Sequence, residues 1–417
     1  MGRARAFSMV LTAVVGMSLL AACGSGDRGS TDGRTTITFW NSFTASDRPA
    51  VEELVRRFNT SQDKVTVEMN IQPGDVMTDA LLPAYKAGKG PTLVALDGGA
   101  VAQYVEQKVF QPVDDFSAMS GIDRGVLPKA GMDVVTHDGK VWGVPFAFAP
   151  TMLFWNKDLF AAAGVKGPPQ TMDDMARAAV ALTQAEQKQY GIAIPDREAP
   201  PSWAVLLWAD GGGIVSEDNP RSIFGTPKSV AAVNRWSSLM RDQGISPIGL
   251  NGVEADNLFG AGKAAMLMNG PWVTAGFDKA GIKYGIAPVP RGSEAQMAVA
   301  VSTNLHLAAD ASAVQKSAAY NFMTYWNSVE TQTYWSLQTG YPPNRSDVDP
   351  SLLAENPTAQ AFAQQSNSRF YLGGLVHAGD IHDDVVVPTI QRITNGEGSA
   401  GKLMPEASGQ IDKLLED

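Results

Sequence analysis

Residues 35–107 pass three times from an extended to a helical hydrophobic period, and this alternation restricts the fold more than any other feature. Thr35-Thr36-Ile37-Thr38-Phe39-Trp40 is β-branched and aromatic, as a strand requires. From Arg48 to Phe58, Val51, Leu54, Val55 and Phe58 fall on one helical face. Val65 to Ile71 alternates again, and Val76 to Ala87 is helical, with Pro83 predicted to kink it. Leu93 to Leu96 is a short buried strand that ends at Asp97-Gly98-Gly99, and Ala100 to Gln107 returns to the helical period. A β-α-β-α-β-α order demands a parallel sheet covered by helices, the α/β class. Such sheets bind ligands at the carboxyl ends of their strands. Trp40-Asn41-Ser42 and Asp97-Gly98-Gly99 are therefore expected on one rim. The competing roles are a core tryptophan for Trp40 and a helix cap for Asp97.

The middle of the chain has different punctuation. His137-Asp138-Gly139-Lys140 carries the Asp-Gly signal of a hairpin. Val141 to Asn156 is extended but broken by Pro145 and Pro150, which suits a crossover between two lobes. Thr171 and Asp174 open a helix, Tyr190 to Ile194 reads as a strand, and Trp203 to Ala209 as a short apolar helix ending at Gly211-Gly212-Gly213. A second α/β lobe follows, and 417 residues provide for it at ~150 residues per domain.

Composition removes several functions. A formal charge of −10 disfavours nucleic acid as a partner. One cysteine excludes a disulfide framework and a Cys-based zinc site, and four histidines argue against a His-rich metal centre. No cofactor is expected. The N-terminus reads as an address: Arg3 and Arg5 precede an apolar run from Met9 to Leu20, too short for ~30 Å of hydrocarbon. It ends in Leu20-Ala21-Ala22-Cys23, which resembles the lipobox of bacterial lipoproteins. The expected organisation is a signal peptide over 1–22, a lipidated Cys23, and a flexible tether over 23–33 rich in Gly, Ser, Thr and Asp.

Several segments together resemble the family 1 extracellular solute-binding proteins of bacterial carbohydrate ABC importers. The most specific is Phe259-Gly260-Ala261-Gly262-Lys263-Ala264-Ala265-Met266 followed by Asn269-Gly270-Pro271-Trp272. Tyr284-Gly285-Ile286-Ala287-Pro288-Val289-Pro290 and Gln338-Thr339-Gly340-Tyr341-Pro342-Pro343-Asn344-Arg345 follow in the family's order, and Val94 to Gly99 and Val141 to Leu159 precede it. The resemblance implies a two-lobed periplasmic-binding-protein-like fold (type II) with discontinuous lobes joined by a hinge. On that frame lobe 1 spans 34–148 plus about 289–325, and lobe 2 spans 149–288 plus about 326–417. It also implies a small-molecule carbohydrate as ligand, permease subunits of an ABC transporter as partners, a monomer, contact with the membrane through the lipid alone, and no chemistry at the site. Candidate ligand contacts are Trp40, Asn41, Ser42, Asp97, Phe148, Trp203, Trp272, Asn304, Tyr341 and His382. Nine tryptophans suit sugars, whose C–H faces stack on indole.

Rival motifs are weak. Gly260 to Ala264 resembles half a P-loop but has Asn257 where the first Gly belongs and Ala264 where the magnesium-binding hydroxyl belongs. Neither Gly-x-Ser-x-Gly nor His-Glu-x-x-His occurs. The His377 to Asp384 cluster reads as a turn before the helix Val385 to Ile393 rather than as a metal site, with His382 or Asp383 near the ligand. A glycoside hydrolase needs two carboxylates ~5–9.5 Å apart, and this chain has acids enough for that alternative. A glycerol-3-phosphate or glycerophosphodiester ligand is the alternative within the family. It needs an Arg where this chain has His382, with Arg345 and Arg369 nearest.

Overall fold

In the first sheet, β1 (Thr35–Asn41) lies parallel between β2 (Val65–Ile71) and β3 (Leu93–Asp97), in register from Thr35↔Val65 to Asn41↔Ile71 and at Phe39↔Leu93 and Trp40↔Val94. This is the parallel arrangement that the alternating pattern predicts. The computed structural model describes residues 33–44, 47–197, 201–217, 220–365 and 367–416. The export segment, Cys23 and most of the tether lie outside the described residues. Among those described, no helix is long and apolar enough to cross a membrane.

Alternation along the strands separates two faces. Phe39, Leu93 and Ala95 enter one core with Phe146, Phe322, Trp326 and Trp335; Val94 and Leu96 enter another with Met77, Leu81, Tyr104 and Phe110. The first is anchored by aromatic contacts: Phe146 stacks on Trp326 at 3.8 Å, and Trp326 Nε1 donates to the Phe146 carbonyl at 2.7 Å. The Asp-Gly hairpin forms as expected between β4 (Thr136–His137) and β5 (Lys140–Val141), with Asp138 at φ 50° and Gly139 at φ 70°.

The crossover falls where the prolines indicate. β6 (Val144–Pro150) belongs to the first sheet, and β7 (Met152–Asn156) to a second, where it is flanked antiparallel by β8 (Met266–Asn269) and β9 (Tyr284–Ala287). Thr151, between them, donates its N–H to the Val299 carbonyl at 2.8 Å and accepts the Val299 N–H on its hydroxyl at 3.2 Å. Leu153, Met266 and Met268 face a large second core, whereas Met152, Phe154 and Leu267 face a third. Tyr190–Ile194 is not a strand: Tyr190 and Ala193 only bridge to Ala264 and Leu267.

The return path is β10 (Ala298–Leu307), antiparallel to β3 and β6, with β11 (Ser368–Phe370) parallel to its first residues. The helices Ala313–Trp326 and Val329–Thr339 then bury Trp326 and Trp335 in the first core. Residues 326–339 thus pack with the N-terminal part of the chain, beyond the boundary expected at 325. Helix Val329–Thr339 meets helix Arg48–Ser61, with the Arg57 guanidinium 4.0 Å above the Tyr334 ring. Helices Val387–Thr394 and Ala400–Glu416 pack on Pro227–Gln243 in the second core.

His306 is a fixed point of the first sheet. It is fully buried, stacks on Phe110 at 4.9 Å, and holds the Trp142 carbonyl with Nδ1 at 2.8 Å. Burial pulls its pKa down to about 4, against a smaller opposing effect of that hydrogen bond. The folded state therefore binds this proton less readily than the unfolded chain, and stability is lost as pH falls from about 6.5 towards 4. Chemical denaturation across this window should show a decline of up to about 3 kcal/mol in the wild type that is absent in His306→Gln. Parallel pH profiles of the two proteins would contradict this assignment.

Candidate functional site

The register decides which predicted residues share a surface. Trp40 pairs with Val94, so its ring goes to the face of Val94 and Leu96, where it packs half-buried against their core. Asn41 and Asp97 take the opposite face, at the carboxyl ends of β1 and β3. The structure thus brings Asn41 and Asp97 to one rim and turns Trp40 away from them. Ser42 follows, half-buried, beside Gly74 at the start of helix Gly74–Lys86.

Asn41 is fully buried; its Oδ1 accepts the Phe43 N–H at 3.2 Å, and its Nδ2 has no partner. The Asp97 carboxylate accepts the Gly99 N–H at 2.8 Å, so the expected helix cap is real. Asp97 is exposed to solvent yet closely surrounded by protein, and that enclosure raises its pKa, the Gly99 bond opposing it. A wetted carboxylate inside a protein cleft has this combination. Gly98 permits it: a Cβ there would lie 2.8 Å from Val134, 2.9 Å from the Ser302 hydroxyl and 3.0 Å from Phe370. The second lobe meets this turn, because residues 378–380 pack against 98–100.

His382 follows that segment in a π-helical turn, Ile381–Val386. It is half-buried, with Nδ1 3.2 Å from the Tyr371 hydroxyl and Nε2 3.8 Å from Asp383. Burial lowers its pKa and Asp383 partly restores it. The helix expected at 385–393 thus starts within a π turn and continues as Val387–Thr394.

Tyr341 and Trp272 form a second group, with ring centroids 6.3 Å apart. Tyr341 rests on Trp335 at 5.3 Å, and Trp335 on Phe43 at 5.6 Å, which links this pair to the Asn41 strand end. Trp272 is half-buried and folds back over Gly270, where a Cβ would lie 2.0 Å from the indole. Only glycine permits that fold. Asn269 sets the turn: its Oδ1 accepts the Gly270 N–H at 2.8 Å, and its Nδ2 donates to Asp256 at 2.5 Å. Asp256 went unnoticed in the sequence because nothing in a helix pattern distinguishes it. Burial pushes its pKa up to about 6, with the Asn269 bond opposing. Asp47, buried near Tyr341, was missed for the same reason; burial, and then its charge, raise the Tyr341 pKa.

Two predicted contacts are corrected. Trp203 is fully buried in the second core, and its Nε1 donates to the Pro195 carbonyl at 3.1 Å, so no face is left for a ligand. Asn304 is likewise fully buried; its Nδ2 donates to the Ser302 hydroxyl at 2.8 Å, which orients it within the sheet. Phe148 is half-buried but lies elsewhere. It pairs with Ser302, whereas Asp97 pairs with Thr303, so the two side chains leave opposite faces of the sheet. Phe148 lines a cavity of about 1050 Å³ between the lobes, with Trp208, Phe362, Arg369 and Tyr371.

Each cation lining that cavity has a carboxylate: Lys129 with Asp133, Arg345 with Asp347, and Arg369 with Glu217. Arg345 also donates to the Asn327 carbonyl at 2.6 Å, and the Arg369 guanidinium sits 4.1 Å above the Trp208 ring. Trp203→Ala should cost ~3–5 kcal/mol in urea unfolding, as core tryptophans do. Trp272→Ala should cost clearly less, because its ring is only half-buried at the edge of the third core. Equal losses would remove the distinction drawn between them.

Two α/β lobes, with Asp97 exposed at one strand end and Trp272 paired with Tyr341, can be set beside known proteins. A maltotriose-binding protein of Pyrococcus abyssi is 22% identical over 356 residues, 82% of this chain and 72% of that protein. The structure of a Thermotoga lettingae ABC transporter solute-binding protein with alpha-D-tagatose superposes with a TM-score of 0.79 at 22% identity, covering 91% of this chain and 99% of that one. The Mycobacterium tuberculosis UgpB complex with glycerophosphocholine gives 0.80 at 21%, covering 92% and 99%. The model of the bacterial extracellular solute-binding protein family matches residues 53–363, and the chain belongs to that family.

Proposed function

We propose that this chain captures a neutral saccharide, mono- or oligomeric, between its lobes and passes it to the permease subunits of an ABC importer. The protein does so as a monomer on the extracytoplasmic face, held by lipid on Cys23, and does not transform the sugar. The observation that carries the choice of ligand is the state of the two arginines that line the cavity between the lobes. Arg345 is bound in a bidentate fork by Asp347, and Arg369 is matched by Glu217. A phosphodiester requires such guanidinium groups for itself. Asp97 supports the same reading, since an enclosed carboxylate accepts sugar hydroxyls and repels phosphate. The Trp272–Tyr341 pair, tilted at 45°, offers the C–H face of a sugar ring an aromatic wall. The tagatose-bound and maltotriose-binding relatives support a sugar; the glycerophosphocholine complex is the reading to be tested against it.

A thermal-shift screen of mono-, di- and oligosaccharides beside glycerophosphocholine tests this directly. A ligand at 100-fold its Kd stabilises by ~2.7 kcal/mol. The best ligand should be a saccharide, bound with nearly equal affinity at low and 0.5 M salt. Asp97→Asn should weaken it by ~1–3 kcal/mol, and Arg345→Ala and Arg369→Ala should leave it bound. Stabilisation by glycerophosphocholine alone, lost in the arginine variants, would reverse the assignment. Recovery of a hydrolysed sugar would make the protein an enzyme. For the anchor, mass spectrometry of membrane-extracted protein should find lipid on Cys23, and Cys23→Ser should release the chain into the soluble fraction.

A further inference from the structure

Away from the cleft, the Asp-Gly hairpin sets His137 beside two carboxylates. Its Nε2 lies 3.3 Å from Glu106 Oε1 and 3.8 Å from Asp138 Oδ2, and the three ligating atoms lie within 4.8 Å of one another. Glu106 ends helix Val101–Glu106, and Asp138 occupies the turn between β4 and β5. We propose that Glu106, His137 and Asp138 bind a divalent transition-metal ion of the zinc type, with water completing the coordination.

An ion pair between Glu106 and His137 does not account for the arrangement. Nε2 offers one proton or one lone pair, and two carboxylates converge on it. No Lys or Arg among the described residues forms an ion pair with either carboxylate. The carbonyl end of helix Val101–Glu106 adds further negative potential at Glu106. The two carboxylates thus repel one another, and a cation held between them and the imidazole removes the repulsion. Zinc bonds of ~2.0–2.2 Å place tetrahedral ligands about 3.4 Å apart, near the two measured separations. The imidazole is sheltered, with 17% of its side chain exposed, while the carboxylates at 52% and 83% can swing inwards. The Trp142 indole donates to the His137 carbonyl at 3.0 Å and steadies the hairpin. One imidazole and two carboxylates suit zinc and its neighbours; calcium takes six to eight oxygens and magnesium an octahedron of them.

The site joins two segments that border the first lobe's share of the cleft. Helix Val101–Glu106 begins where the Asp97–Gly99 turn ends, and the hairpin leads through Trp142 into β6.

Zinc chloride titrated calorimetrically into chelator-treated protein, in a Cys23→Ser background that removes the one thiol, tests the proposal. One equivalent should bind. His137→Ala should abolish binding, and Glu106→Gln and Asp138→Asn should each weaken it about tenfold or more. His377→Gln and His382→Gln should leave it intact. All are surface or half-buried positions, and unchanged circular dichroism and melting of the metal-free variants would confirm that each folds. Absence of binding at millimolar zinc, or binding undiminished in His137→Ala, would overturn the assignment.

Discussion

Both lobes depend on the ladder of β10. This single strand pairs antiparallel with β3 at residues 303–307 and with β6 at residues 300–305, and parallel with β11 at 298–300. Its last half lies in the first core through Leu305 and Leu307, and its first residues, Ala298 and Val299, lie in the second. The ladder of the first sheet therefore reaches the edge of the second core, with a register shift against β6 between Thr303 and Asn304. Thr151 repeats the theme beside it, binding Val299 as the chain passes from β6 to β7. Any change in the angle between the lobes must be absorbed by a few residues around 150–151, 298–302 and 368–372, since packed cores on either side resist deformation.

The same ladder sorts the side chains by function. A one-residue step along β10 separates the surface of Asp97 from that of Phe148. The rim of β3 therefore has an enclosed carboxylate, and the cavity at Phe148 has a wall of rings and prolines with every cation matched. The two surfaces differ chemically because alternate residues of the same strands serve them.

The sequence made legible whatever depends on local period or on a turn. The parallel order of β1, β2 and β3, the hairpin at Asp138-Gly139 and the break at Pro150 all follow from residues within a few positions of one another. Three kinds of feature were hidden. Tyr190–Ile194 has strand-like composition, but only two of its residues find bridge partners. Trp335 lies after the expected crossover, yet its indole fills the first core, a decision made by helix packing over nearly three hundred residues of separation. Trp203 and Trp272 are the same residue type near a Pro and a Gly, and only the surrounding core tells them apart: one has no surface, the other lies half-open on a turn. Burial is a property of the whole chain, so candidates chosen by residue type separate only after folding.

Trp272 shows how a short motif becomes a surface. The glycine in Asn269-Gly270-Pro271-Trp272 supplies the space that the indole occupies, not flexibility, since its φ of −99° is open to any residue. The asparagine ties that glycine's N–H to the Asp256 carboxylate through its own amide, so the turn is fastened to helix Gly252–Gly260 rather than left to the loop. Proline removes an N–H where a strand would continue. Each of the four residues thus contributes a different physical constraint, and together they hold one aromatic face against Tyr341 at the junction of the lobes. An aromatic wall held this way loses little side-chain entropy when a ligand stacks on it, because its rotamer is already set by the space above Gly270.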